Sequence, residues 1–409
     1  MGKPELLVPA SSLEVLKIAT IFGADAVYIG GEAFGLRAKA HNFTKEEMAQ
    51  GIAFAHEHGV KVYVTVNILA HNYDLEGVRE YLKELKELAP DALIIADPGI
   101  FTYAKEICPE IERHISTQAN NTNYETYRFW YQLGAKRVVT ARELSLEEIR
   151  QIRAHIPDDM EIETFIHGAM CISYSGRCLL SNYLVGRDAN QGACTHPCRW
   201  KYSIVEESRP GEYMPVYENE RGTYIFNSKD LCMIEHMDDI LTSGIDSLKI
   251  EGRMKTALYV ATVARTYRKA IDDYFEDPAK YQANMSWYQE QIAGCTYRKF
   301  TTGFFYGKPS EEAQIYDNNT YEKGYTYLGF AEKADERGLV QITQRNKFSV
   351  GETIEIMKPD GENKIVMVKA IYDEEGNSVE SAPHPQQKLF VDLGGGVEVY
   401  DILRRSEKE

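Results

Sequence analysis

Nowhere in the 409 residues do roughly 18 uncharged apolar residues run together, as a membrane-spanning helix needs. Nor does the start resemble a signal peptide, because Met1-Gly2-Lys3-Pro4-Glu5 leads straight into an apolar, strand-like run. A cytoplasmic protein without a membrane partner is expected. Basic residues are the minority, with 46 Lys plus Arg against 62 Asp plus Glu and a net charge of −16. That excludes a broad, sequence-independent nucleic-acid surface and leaves room only for a local basic patch. The 30 Gly and 14 Pro are too few for a collagen-like or disordered chain. Seven cysteines, an odd number without an export signal, argue against a disulfide framework and turn attention to metal or redox use. G-x-S-x-G, H-E-x-x-H and P-loop sequences are missing, as is the C-x₃-C-x₂-C of radical enzymes that cleave S-adenosylmethionine.

What is present is a repeat of short apolar runs and helical stretches. The runs fall at 5–10, 26–30, 61–67, 92–97, 113–118, 137–141, 161–167 and 247–252. They are rich in Val and Ile without strict alternation, as parallel strands buried on both faces are. Ser12, Thr44 and Ser145 each precede an acidic first helical turn. Gly23 and Gly134 stop helices just before strands. Eight such units in about 255 residues fit a (β/α)₈ TIM-like barrel. The rival, a doubly wound open sheet, is weaker because no G-x-G-x-x-G follows the first strand. From Lys323 onward the pattern changes to period two with Gly turns, predicting a small all-β barrel. The expected domains are a barrel over 1–310, with a cysteine-rich insertion at 168–229 after strand 7, and a β domain over 320–409.

That insertion is far longer than an ordinary loop, which marks it as functional or separately structured. It holds Cys171, Cys178, Cys194 and Cys198 at C-x₆-C-x₁₅-C-x₃-C spacing. Thiolates so spaced on one loop fold onto a single metal or cluster. Zinc competes with iron–sulfur, but it favours paired C-x₂-C knuckles, and none is present. Arg177 and Arg199 adjoin cysteines and offset their charge. Cys232 reads as core at a helix start and as the reserve fourth ligand; Cys108 and Cys295 read as incidental.

In such a barrel, chemistry sits at the C-terminal strand ends. The polar residues there are Asn67, Asp97, Gln118, Arg142, Glu163, His167, Glu251 and Arg253. Alternation puts Glu163, Phe165 and His167 on one face, with Arg142 or Arg253 as the cation for a buried Glu163. It likewise turns Lys249, Glu251 and Arg253 inward, either as a buried ion network or as a site for an anion. Glu163, His167 and Glu251 are the candidate catalytic residues; Lys249, Arg253, Arg142 and Gln118 are the candidate substrate contacts.

The run Glu163-Thr164-Phe165-Ile166-His167-Gly168-Ala169-Met170-Cys171, followed by Ser175-Gly176-Arg177-Cys178-Leu179-Leu180-Ser181, resembles the signature of the U32, collagenase-like peptidase family. Residues 4–10, 23–30, 190–200 and 249–253 resemble its recurrent segments too. The likeness covers essentially the whole chain and is greatest for the bacterial branch that makes 5-hydroxyuridine at the tRNA wobble position. The resemblance implies prephenate-dependent, oxygen-independent hydroxylation with a [4Fe–4S] cluster. Its ligands carry over to Cys171, Cys178 and Cys194, with Cys198 or Cys232 as the fourth. It also implies tRNA and a small carboxylate as partners, and a family-member subunit as a further one. Trp200, Tyr174 or Tyr183 would stack on a base, and Arg187, Arg199, Lys201, Lys255, Arg265, Arg268 and Lys269 would form the basic patch. The rivals are a collagenase-like peptidase, disfavoured because no Ser–His or Cys–His pairing is evident, and a zinc-stapled binding protein.

Overall fold

The computed structural model describes residues 2–35, 42–171, 173–199, 218–219, 222–223, 229–295, 299–308, 324–335 and 339–407. Strands β1 (Glu5–Pro9), β2 (Ala26–Gly30), β3 (Lys61–Val66), β4 (Ala92–Ile95), β5 (Glu112–Ile115), β6 (Arg137–Val139) and β7 (Glu161–Ala169) pair in parallel, each with the next. After β8 (Asp230–Cys232) comes β9 (Ser247–Ile250), which pairs in parallel with both β7 and β1 and closes the ring. The result is an eight-stranded parallel barrel wrapped by helices.

The helix starts follow from local chemistry. In α1 (Leu13–Ile21) the Ser12 side chain accepts from Val15 N. Complete capping boxes, Thr44 with Glu47 and Ser145 with Glu148, open α2 (Lys45–Glu57) and α6 (Leu146–His155). Asp97 caps α4 (Pro98–Ile107), accepting from Gly99 N and Ile100 N with Pro98 in the first turn. Its strand-end position therefore serves the helix. The other wrapping helices are α3 (Leu75–Leu88) and α5 (Tyr124–Leu133), the latter stopped by Gly134 at φ +97°.

Two departures from simple alternation shape the seventh strand. A register shift pairs Lys249 with Phe165 but Ile250 with His167. This bulge on β7 reverses the face that follows it. β7 then runs on to Ala169, where β8 pairs with it antiparallel. Cys232 is thus the last residue of a strand and not the start of a helix, a tertiary pairing that local periodicity does not reveal.

Short α7 (Leu180–Val185) lies in the cysteine-rich insertion, and α8 (Met237–Leu241) precedes β9. The long α9 (Ala257–Glu276) returns down the outside of the barrel. The C-terminal region is two antiparallel sheets, one of four strands and one of five, around their own core of Leu328, Val340, Phe348, Ile356 and Leu389. It is tied to the barrel by Arg265, which donates to Lys358 O and Asn363 Oδ1, and by Glu14, which bonds Tyr327 and Arg345. The expected 310–320 boundary lies outside the described residues. Among them, no helix is long and apolar enough to cross a membrane.

Candidate active site in the barrel mouth

The barrel interior has two charged levels. The lower belongs to the strand starts. Arg137 pairs with Glu5 at 2.6 Å, Glu161 at 2.7 Å and Glu163 at 3.1 Å, and Lys249 Nζ reaches Glu163 at 2.7 Å. Tyr63 OH and Ser247 Oγ donate to Glu5. Burial favours neutral carboxyls, but the Arg137 charge and these hydrogen bonds outweigh it and hold Glu5 at about 2. Glu163, with no solvent exposure, is likewise lowered: burial opposes ionization, and Lys249 and Arg137 win. His114, buried beside Tyr63, stays neutral because burial and Arg137 both push its pKa well below the usual range.

Glu163 therefore differs from the expectation in two ways. Its cations are Lys249 and Arg137, where Arg142 or Arg253 was expected, and it does not border the cavity above. It is an internal counter-ion. His167 does not border that cavity either. The bulge after Phe165 turns it outward, where its Nδ1 meets Tyr267 OH at 3.3 Å between Tyr259, Tyr267 and Phe300. Burial lowers it to about 4, with Asp230 in partial opposition, so it is neutral at pH 7. Cys232 lies opposite His167 and against the same Tyr267, and burial raises its thiol to about 11.

The upper level is a cavity of about 430 Å³ built from the strand ends. Thr65 and Asn67 border it at the end of β3, Ser116 and Gln118 after β5, Arg142 after β6, and Glu251 and Arg253 after β9. Tyr28, Ile94 and Phe165 give it an apolar floor, and Lys249 reaches it from the level below. Arg253 donates to Thr65 Oγ1 at 2.8 Å, and Thr65 Oγ1 donates in turn to Ile29 O. A Cβ at Gly30 would come within 2.8 Å of the Arg253 guanidinium, so the strand end there is shaped around that group. The Arg142 guanidinium lies over the Phe165 ring, 3.9 Å from its centre, and reaches Glu251 at 3.4 Å. β9 ends at Ile250, yet Lys249, Glu251 and Arg253 all border the cavity, as alternation predicted.

The insertion forms the outer wall. Gly168 takes φ +109°, and a Cβ there would stand 2.4 Å from Glu251 O. Only glycine lets the chain leave β7 across the end of β9. Cys171, Cys178, Cys194 and Cys198 all border the cavity, together with Arg187; Cys232 does not. Among the described residues, no three His, Cys, Asp or Glu side chains stand close enough to share one metal ion.

The residues expected on the RNA side are dispersed. Trp200, Lys201 and the Arg199 side chain lie outside the described residues. Tyr174 and Tyr183 are exposed on the insertion at 45% and 84% but do not border the cavity. Arg265 is buried as the tether to the C-terminal sheets, Arg268 is paired with Asp25 and Asp272, and Lys269 with Asp273. These three do not form a basic patch beside the cysteines, because α9 follows the barrel wall away from its mouth. The sequence reading missed Ser116, Asn120 and Ser175. Each is a small polar residue just beyond a strand or inside the insertion, and no spacing rule marks it.

Fold and site together describe a barrel enzyme scaffold with a cysteine-walled mouth. Residues 11–315 match the model of peptidase family U32 and residues 323–404 that of the U32 C-terminal domain. The chain belongs to peptidase family U32. It is 42% identical to tRNA hydroxylation protein P1 of Bacillus subtilis, over 99% of this chain and 95% of that one. To tRNA hydroxylation protein P of Escherichia coli it is 39% identical, over 99% and 97% of the two chains. To the 23S rRNA 5-hydroxycytidine C2501 synthase of Escherichia coli it is 38% identical, over 67% of this chain and 40% of that one.

Proposed function

We propose that this chain is an RNA hydroxylase that converts the wobble uridine of tRNA to 5-hydroxyuridine. Prephenate is the small carboxylate co-substrate, and Cys171, Cys178, Cys194 and Cys198 hold a [4Fe–4S] cluster. One observation carries the reading: all four cysteines border the cavity at the barrel mouth, in a chain that aligns end to end with proteins named for tRNA hydroxylation. The donor set suits a cluster better than zinc. Thiolates on a four-iron cluster bind different irons and stand farther apart than ligands of one ion. All four cysteines border the cavity, and no C-x₂-C knuckle of the kind zinc favours is among them. When bound, the cluster supplies one-electron chemistry.

The chain's own residues supply the rest. Arg253 presents a planar fork suited to a carboxylate, and Lys249 adds a point charge from below. Glu251 is the carboxylate at the cavity able to accept a proton, and Arg142 orients it from 3.4 Å. The insertion walls the mouth, while Tyr174 and Tyr183 offer exposed rings to an RNA strand. The test is nucleoside mass spectrometry of tRNA from cells stripped of every family member and complemented with this chain. Wild type is expected to restore 5-hydroxyuridine, and Cys178→Ala is not. Tested with the RNA substrates native to its own host, a wild-type chain that restores nothing refutes the reading.

A further inference from the structure

Among the described residues, one barrel residue holds the cysteine-bearing insertion at two points. Asn120 follows the 3₁₀ turn Thr117–Ala119 and sits in the left-handed region at φ +54°. Its Nδ2 donates to Ser175 O at 3.1 Å and to Thr117 O at 2.9 Å, and its Oδ1 accepts from Arg177 Nε at 2.8 Å. The carboxamide thus grips the chain on both sides of Gly176. On the opposite side, Arg142 Nη1 donates to Ser175 Oγ at 2.9 Å. Gly176, at φ +73°, lies so close to Gln118 that a Cβ would come within 1.9 Å of Oε1. Among the described residues that buried oxygen has no hydrogen-bond partner, an unfavourable burial that the grip on Ser175 and Arg177 must outweigh. Cys178 follows Arg177 directly, so whatever fixes residues 175–177 fixes its thiol against the cavity.

We propose that Asn120 is a positioning residue: from the end of β5 it clasps Ser175 and Arg177 and thereby sets where Cys178 stands over the barrel mouth. The inference deepens the reading of the cysteines as a metal centre and rests on it for its relevance to catalysis, but the clasp itself is testable without metal. Asparagine is among the few residues with a β-carbon that tolerate the left-handed region, which here frees its amide to face the insertion. Asn120→Gly is therefore the clean variant, since it keeps the backbone geometry and removes the grip. Asn120→Asp keeps the acceptor for Arg177 and loses the donor to Ser175.

The experiment measures alkylation rates of individual thiols in metal-free protein by mass spectrometry. In Asn120→Gly, Cys178 is expected to react at least several-fold faster than in wild type. Cys194 should change less than twofold, and the melting temperature should fall by no more than a few degrees, about what the lost hydrogen bonds are worth. Asn120→Asp should fall between the two. In the Arg177→Ala background, Asn120→Gly should add less than it does alone, because both changes break one contact. An unchanged Cys178 rate, or an equal rise at all four thiols, overturns the proposal. Steady-state kinetics of the loaded protein give a second readout, a lower kcat with an unchanged KM for tRNA. If wild type binds no iron and modifies no RNA, the functional reading fails while the alkylation result still decides the clasp.

Discussion

The two levels of charge inside this barrel use the same residue types for opposite ends. Below, Glu163, Lys249, Arg137 and Glu5 satisfy one another, with Glu163 wholly buried and Glu5 slightly exposed. Above, Arg142, Glu251 and Arg253 border a cavity and contact a serine or threonine hydroxyl or one another. Position along the barrel axis decides which role a charge takes, since Arg253 above is nearly as buried as Lys249 below. A charge with no access to water requires partners from the protein, whereas one at a strand end can meet a ligand. Lys249 marks the transition, bound to Glu163 below and reaching the cavity above.

Removing a member of the lower level should have the largest effect on stability. Glu163→Ala strands Lys249 in the interior and takes one of three carboxylates from Arg137, and should cost about 3–5 kcal/mol in urea unfolding. Arg142→Ala should cost less than half as much. Equal losses would erase the distinction between the levels.

Acid should act on the buried groups next. His167, lowered to about 4, stays neutral in the fold while the unfolded chain takes up a proton below the ordinary value of 6.5. Its contribution is complete above pH 6.5 and is lost as pH falls towards 4. Glu5, lowered from 4.5 to about 2, contributes fully above pH 4.5 and ceases to do so as pH falls to about 2. Denaturant midpoints measured across pH should therefore decline in two stages. A His167→Gln variant should flatten the first and leave the second; if both persist unchanged, these residues are not the cause.

The mouth should respond in function more than in stability. Gly176→Ala places a side chain at φ +73° and displaces the Gln118 carboxamide. It should cost about 1–2 kcal/mol, with hydroxylation falling tenfold or more; retained activity would show that the insertion does not need this close fit. The smallest structural effect belongs to Arg253→Lys, which keeps the charge and loses the fork. The KM for the carboxylate co-substrate should rise several-fold with an unchanged unfolding midpoint. If the protein unfolds instead, Arg253 belongs with the lower level.

The barrel was legible because its signals are local. β2 spans Ala26–Gly30 as expected, and Thr44, Ser145 and Gly134 cap their helices as expected. The insertion and its four cysteines stood out by length and spacing. Burial depth and register did not. Glu163 and Glu251 look alike in sequence, and only the closed ring shows that one is below the floor. His167 shares the alternation of Glu163 and Phe165 until a bulge, which no residue in the run announces, turns it away. Asn120 escaped notice because its partners, Ser175 and Arg177, are more than fifty residues distant.

The central claim, that four cysteines from one insertion hold a cluster over the barrel mouth, is tested most directly by anaerobic visible absorption with iron and zinc analysis. Wild type, Cys178→Ala, Cys198→Ala and Cys232→Ala are compared after reconstitution. The account predicts a broad iron–sulfur absorption in wild type that survives Cys232→Ala and is lost in Cys178→Ala and Cys198→Ala. A colourless wild type with stoichiometric zinc would contradict it, as would loss of the absorption in Cys232→Ala with retention in Cys198→Ala.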